Sequence, residues 1–309
     1  MSSEAIEPLH ANAAVATLPP AVEAERLTVE RRAGALSYYQ ARGSDAPMLL
    51  IHSINAAASA FEVRPIFEHL RTQRSVYAVD LPGFGFSARD ARRYDTRLYC
   101  DAVLDMLDVI ADAHPDQPID ALALSLSGEF LARVAAEHPA RFRRLVLVNP
   151  TGFNRASRGA LGPAESNREI PGLHRVLTVP LWRESLYRGL TRRNTIRYFL
   201  KRTYGSAQVD EEMVDYDALT ARQPGASNAP YAFLSGRLFS RDVRAVYEQL
   251  EMPVWVGHGV RGDFKDFSQA HWARQRSNWH FTAFTTGALP HFERPLEFMA
   301  ELDTFIDRA

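Results

Sequence analysis

The sequence predicts an α/β fold: a mostly parallel β-sheet with helices on both faces and one helical insertion. Three observations predict it. Short apolar runs bounded by turn residues alternate with stretches whose apolar residues recur at helical spacing. Several of those runs are apolar at every position, as strands buried on both faces are. Finally, residues 152–245 read as amphipathic helices without a convincing strand. A chain of 309 residues, 46% hydrophobic and 24% charged, is long enough for one large α/β domain with such an insertion.

The elements follow in order. Residues 1–23 are rich in Ala, Pro and Glu and are expected to form a loose tail. Glu4, Glu7 and the missing basic start argue against a signal peptide. Strands are expected at 26–31, 35–40, 48–52 and 75–80, then a helix at 98–113. A strand at 119–124, a helix at 128–138 ending before Pro139 and a strand at 145–148 come next. Beyond the insertion, strands return at 253–256 and 281–284, and a helix at 295–306 closes the chain. The expected division is therefore a core of 24–151 with 246–309 and a helical lid of 152–245.

Composition narrows the function. The net charge is −1, so no global field favours nucleic acid. Lys201 and Lys265 are the only lysines among 36 basic residues, which reads as compositional bias. Cys100 is the only cysteine, so no intrachain disulfide or cysteine-based zinc site forms, and a cytoplasmic setting is expected. No apolar stretch is long enough to span a bilayer, and no histidine pair has metal-site spacing.

The chemistry lies in Ile119-Asp-Ala-Leu-Ala-Leu-Ser125-Leu-Ser127-Gly128. A strand, a tight turn and a helix in succession make a nucleophile elbow, which exposes one hydroxyl and needs small side chains two positions before and after. Ala123 and Ser127 meet that demand without the usual glycines. The alternative is an ordinary serine opening a helix.

From residue 26 onward the sequence resembles the α/β-hydrolase superfamily. His52-Ser53-Ile54-Asn55 stands where the family has its oxyanion turn, and Asp80-Leu-Pro-Gly83-Phe-Gly85-Phe-Ser87 is similar to its Asp-x-x-Gly-x-Gly-x-Ser loop. Ser125 precedes an Ala-Glu-His-Pro helix end, and Gly287 to Pro295 resembles the family's histidine loop. The resemblance implies Ser125 as nucleophile and Asp263 as the acid that orients the base, with Asp266 as fallback. It implies an oxyanion held by the N–H groups of Leu126 and Ile54, with the Asn55 side chain as a further donor and His52 organising the turn. Aligned on Glu293 and Pro295, the family's base position holds Ala288. Either His291, three residues later, is the base through a rebuilt loop, or the base is absent. His258 is an alternative base, and His280 is expected to point away.

Two other motifs are set aside. Gly83-Phe-Gly85-Phe-Ser87-Ala88 imitates a dinucleotide fingerprint, but Asp90 to Asp95 interrupts the helix it should open. Arg261-Gly262-Asp263 matches an adhesion tripeptide without supporting context.

Residues 151–205 carry ten arginines and Lys201 against Glu165, Glu169 and Glu184, interleaved with Trp182, Leu186, Tyr187, Leu190, Ile196, Phe199 and Leu200. They read as a lid with its apolar side on the cleft, or as a basic surface for weak contact with anionic membrane. Two functions stay open: a serine hydrolase cleaving a carboxylic ester or related acyl bond of an apolar small molecule, and a member without its base, acting as a lyase or a hydrophobic-ligand binder. No cofactor, metal or nucleic-acid partner is expected.

Overall fold

A computed structural model describes residues 17–155 and 162–307. Eight strands form one sheet: β1 Glu25–Arg31, β2 Gly34–Ala41, β3 Asp45–Ile51, β4 Arg74–Asp80, β5 Ile119–Leu124, β6 Phe142–Val148, β7 Val254–Gly259 and β8 Trp279–Phe284. Their spatial order is β1-β2-β4-β3-β5-β6-β7-β8. The β1–β2 and β2–β4 pairs are antiparallel, and every pair from β4 to β8 is parallel.

Both faces of the central strands are covered. In β5, Ala121 and Ala123 join one core with Tyr99 and Phe130, while Leu122 and Leu124 join the other with Phe67 and Phe298. Those partners come from α1 Arg64–Leu70 and α12 Pro295–Ile306 on one face, and from α2 Thr96–Ala113 and α3 Ser127–Glu137 on the other. Successive strand side chains point to opposite faces, so a run buried on both sides must be apolar throughout.

Between β6 and β7 lie α4 Leu173–Leu177, α5 Arg183–Leu190, α6 Arg193–Tyr204, α7 Glu211–Thr220, α8 Asn228–Leu234 and α9 Val243–Glu248. Among the described residues this segment contributes no strand, only an isolated bridge between Asn167 and Ser240. The short α10 His271–Arg274 and α11 Pro290–Glu293 complete the structure.

Three differences from the sequence reading have physical causes. The expected tail is packed from Leu18 onward: Leu18, Ala21 and Val22 are buried, and the Ala21 N–H donates to the Tyr39 hydroxyl at 2.9 Å. Residues 1–16 and Arg158 lie outside the described residues. The strand expected at 145–148 begins at Phe142, because Arg144 is buried beside Asp120 and hides the strand start behind a charge. Helix α1 was not anticipated, since seven residues opened by Pro65 are too short to show a period.

Candidate active site

Parallel pairing carries the C-terminal ends of β3, β5, β6, β7 and β8 to one edge, where α/β folds place their clefts. Ser125 follows β5 there with φ +51°, a left-handed conformation costly for a non-glycine residue. Hydrogen bonds hold it in place. Its N–H donates to the Val148 carbonyl at 2.9 Å, and its carbonyl accepts the Gly128 N–H at 3.1 Å. Ser127 donates through Oγ to the His52 carbonyl at 2.6 Å, so the small residue two positions on also ties the elbow to the turn after β3. Ser125 stays partly exposed and lines a cleft of about 170 Å³ with Asn149, Thr151, Asp263, Asp266 and Phe267.

The turn after β3 is built around a buried acid that the sequence reading missed. Glu62 accepts the Ser53 N–H at 2.7 Å, the Ser53 hydroxyl at 3.1 Å and the Asn55 Nδ2 at 2.6 Å. Burial raises the Glu62 pKa, and these hydrogen bonds oppose the rise. The Asn55 amide also donates to Ser53 Oγ at 3.1 Å, and its oxygen accepts the Ala57 N–H at 2.7 Å. Both amide protons are therefore engaged, which corrects the expectation that Asn55 is a spare oxyanion donor. Leu126 precedes α3, so its N–H lies outside that helix's ladder. Ile54 is buried beside the turn. His52 is buried too: Nε2 accepts the Leu81 N–H at 2.9 Å and Nδ1 donates to the Ser53 carbonyl at 2.6 Å, and burial lowers its pKa to about 4.

The Asp80 loop braces this half. Asp80 accepts the N–H groups of Ala60 and Phe86, each at 2.9 Å. A Cβ on Gly85, where φ is +50°, would lie 1.9 Å from the Asp80 carboxylate, so glycine is required there. The fingerprint-like glycines thus shape a turn, and the next helix starts only at Thr96.

The other half is arranged differently. Asp263 lies on the cleft with Ser125, but its carboxylate pairs with Arg202 of α6 at 2.5 Å. Its N–H donates to the Arg202 carbonyl at 3.0 Å. The fallback acid, Asp266, accepts the N–H groups of Arg155 at 2.7 Å and Ser268 at 3.0 Å. Asn149 follows β6 with φ +48°, and its side chain donates to the Phe264 carbonyl at 3.2 Å and accepts the Gly259 N–H at 3.3 Å. It moors the acid loop. Asparagine is among the residues that tolerate this conformation, which was the available signal.

No candidate imidazole meets Ser125. His291 is fully buried, with Nε2 donating to the Glu62 carbonyl at 2.8 Å and Nδ1 sealed from water without a partner. Burial lowers its pKa to about 4. The expectation that a rebuilt loop delivers His291 to Ser125 is corrected on this point: its donor nitrogen is spent on the backbone. His258 stacks on Phe267 at 4.1 Å, accepts from Arg274 at 3.1 Å and donates to the Gly259 carbonyl at 3.1 Å, so it is committed elsewhere. His280 is exposed and meets Phe305 edge-on.

The base loop itself is held shut. The Ala288 N–H donates to the Thr203 carbonyl at 3.0 Å, and the Gly287 N–H to Glu293 at 2.6 Å. A Cβ on Gly287 would lie 2.3 Å from the Thr203 carbonyl. The end of α6 therefore packs on the loop that carries Ala288 and supplies Arg202 to Asp263.

Beside the cleft, and sharing Asp263 and Phe264 with it, is a cavity of about 240 Å³ walled mainly by apolar side chains of the insertion. Several of the insertion's arginines are paired: Arg193 and Arg197 with Glu211, and Arg237 with Glu169. Leu181, Trp182, Tyr198 and Phe199 are exposed, so the segment presents apolar surface as well as charge. No helix among the described residues is long and apolar enough to cross a membrane.

This strained serine on a mostly parallel sheet places the chain in a known class. Residues 46–237, more than half of the chain, match the family model described as the alpha/beta hydrolase fold, and the chain belongs to that family. It is 30% identical over 114 residues to a 2-hydroxymuconate semialdehyde hydrolase of Pseudomonas sp. (strain CF600), covering 36% of this chain and 39% of that one. It is 28% identical over 211 residues to a 1-acylglycerol-3-phosphate O-acyltransferase of Mus musculus, covering 63% of this chain and 56% of that one. The matches thus span well under two thirds of these relatives' own lengths. A meta-cleavage product hydrolase from Pseudomonas fluorescens shares the fold at a TM-score of 0.68 and 17% identity, with 91% of this chain and 97% of that one covered.

Proposed function

We propose that this protein binds an apolar small molecule through an acyl carbonyl at Ser125, and that it is a member of its family whose hydrolytic power is reduced because the base is missing. One observation carries this reading. Asp263, the residue that would orient an imidazole, is paired instead with Arg202; the family resemblance, which aligns Ala288 with the base position, agrees with it.

The chemistry follows from what is left. The Ser125 hydroxyl and the N–H groups of Leu126 and Ile54 can receive a carbonyl and the negative charge that develops on it. One such donor lowers the barrier by about 3–4 kcal/mol. Without a general base the hydroxyl keeps its proton, and a site lacking a triad member retains roughly 10³–10⁴-fold acceleration over water. Binding, or a rearrangement in which the substrate's own groups move the proton, then exceeds hydrolysis.

The retained strain at Ser125 favours a second reading, full acyl transfer through a covalent intermediate. The named activities of the two relatives, a hydrolase and an acyltransferase, are consistent with it. In that case Ser125 Oγ attacks an ester carbonyl carbon, the hydroxyl's proton passes through solvent to the departing alcohol oxygen as the C–O bond breaks, and water or a second alcohol then releases the acyl group from Ser125. Turnover of p-nitrophenyl butyrate and labelling by a small fluorophosphonate separate the two. The expected result is slow labelling and turnover that Ser125→Ala reduces less than a thousandfold. Rapid stoichiometric labelling of Ser125, with turnover abolished by Ser125→Ala, overturns the first reading in favour of the second.

A further inference from the structure

The cavity beside the cleft has apolar walls that include Ala57, Leu190, Ile196, Leu200 and Phe233. Into this lining α7 contributes one acid, Asp217, whose residue is 5% exposed. Its Oδ1 is buried with no hydrogen-bond partner. Among the described residues no cation is paired with Asp217; Arg202, on the same cavity, is paired with Asp263. The charged groups that act on it, Glu62 and Asp210, are acids and repel a carboxylate there. Glu62 cannot join Asp217 around a cation, because its own oxygens are filled by N–H and O–H donors from Ser53 and Asn55.

An unpaired carboxylate in such a place costs several kcal/mol, and the group takes up a proton instead. Burial, reinforced by Glu62 and Asp210, raises the Asp217 pKa well above the ordinary carboxylate value. A neutral carboxyl has one O–H to donate. The other polar side chains of the lining are bonded elsewhere, Asp263 to Arg202, Asn55 to Glu62 and Thr203 to the Phe199 carbonyl, so that O–H takes its acceptor from a ligand.

We propose that Asp217 is a specificity-determining residue: its carboxyl group, protonated and facing the apolar cavity, donates a hydrogen bond to a carbonyl or ether oxygen on an otherwise apolar ligand. The ligand class is a neutral molecule of about one substituted benzene ring, since an apolar cavity of roughly 150 Å³ already accepts benzene and this one measures about 240 Å³. An alkane or arene of the same shape leaves the O–H unpaired, and a site built to hydrogen-bond its ligand discriminates strongly against the analogue lacking that group. The inference rests on the reading that this side of the cleft holds the ligand. It concerns equilibrium binding and needs no reaction at Ser125.

The test is equilibrium binding of acetophenone and of ethylbenzene, followed by ligand-observed NMR, to the full-length protein and to Asp217→Leu and Asp217→Asn. The wild type is expected to bind acetophenone at least tenfold more tightly than ethylbenzene. Asp217→Leu is expected to reverse that order, and Asp217→Asn, which keeps a donor, to preserve it. Equal affinity in the wild type, no detectable binding of either compound, a preference that survives Asp217→Leu, or one lost in a folded Asp217→Asn each overturns the proposal. Should Asp217→Leu not fold, the wild-type ratio and Asp217→Asn decide. Fluorophosphonate labelling in the same samples keeps this outcome separate from the reading of Ser125, because labelling reports the hydroxyl and the binding ratio reports Asp217.

Discussion

The two halves of the cleft are built from different bonds. On the side of β3, β4 and β5, side chains hold backbone: Glu62 the Ser53 N–H, Asp80 those of Ala60 and Phe86, His52 that of Leu81, and Ser127 the His52 carbonyl. On the side of β7 and β8 the loops are tied to the insertion: Asp263 to Arg202, and the Ala288 N–H to the Thr203 carbonyl. The first half holds Ser125 in its strained turn. In the second, the loop that carries Ala288 is bonded to the end of α6. Under the proposed function, holding a carbonyl depends on the first region and moving its proton on the second, so that one can be lost while the other stays.

The largest effect is expected from breaking the bonded half. Glu62→Ala leaves the buried Ser53 N–H and the Asn55 amide without their acceptor. The expected loss is about 3 kcal/mol of unfolding free energy, since unsatisfied buried donors add to truncation of a buried side chain. Denaturant unfolding with an unchanged slope measures it. A loss below about 1 kcal/mol would mean that the turn is not held by Glu62.

The rewired half can be sharpened by putting the base back. Ala288→His combined with Arg202→Ala frees Asp263 and supplies an imidazole at the family's base position. General-base assistance is typically worth about 10²–10⁴-fold, so p-nitrophenyl butyrate turnover is expected to rise about a hundredfold over wild type, or about 2.7 kcal/mol. Ala288→His alone is expected to gain much less, because Asp263 remains with Arg202 and the end of α6 crowds the loop. Equal gains in the single and double variants would show that the Asp263–Arg202 pair does not limit turnover.

The difference between the halves also explains what the sequence made legible. The sheet and helices around Ser125 follow from periodicity and from small residues at Ala123 and Ser127, all local signals. Ala288 is legible as the residue that the family resemblance aligns with the base position. What took its place is not: Arg202 lies 61 residues from Asp263, in an arginine-rich stretch where nothing marks one arginine over its neighbours. Glu62 was hidden because a lone acid beside a short helix looks like a surface residue. His291 lies 229 residues from Glu62, and only the packed fold decides which way its ring nitrogens face. Periodicity reports which face of an element is buried, and it says nothing about which buried polar groups find each other.

His291 spans both halves, since it belongs to the loop after β8 and donates to the carbonyl of Glu62, and titration can weigh that link. Its folded pKa is lowered to about 4 by burial, against the ordinary imidazole value of 6.5. The unfolded chain therefore takes up the proton first as pH falls, and the stabilisation is complete above about pH 6.5 and lost progressively toward pH 4. For a shift of this size, His291 alone removes about 2 kcal/mol between pH 6.5 and 4.5. His52 titrates with the same sign. The buried acids Glu62 and Asp217 have raised folded pKa values and the opposite sign, so they add stability as pH falls. Subtracting a variant isolates the one group: His291→Asn loses stability at pH 7 through its altered bond to Glu62, yet its decline from pH 6.5 to 4.5 is expected to be about 2 kcal/mol shallower than that of the wild type. Parallel declines in the two proteins would mean that His291 takes up its proton without leaving Glu62, and the strut between the halves would then not be the acid-sensitive element.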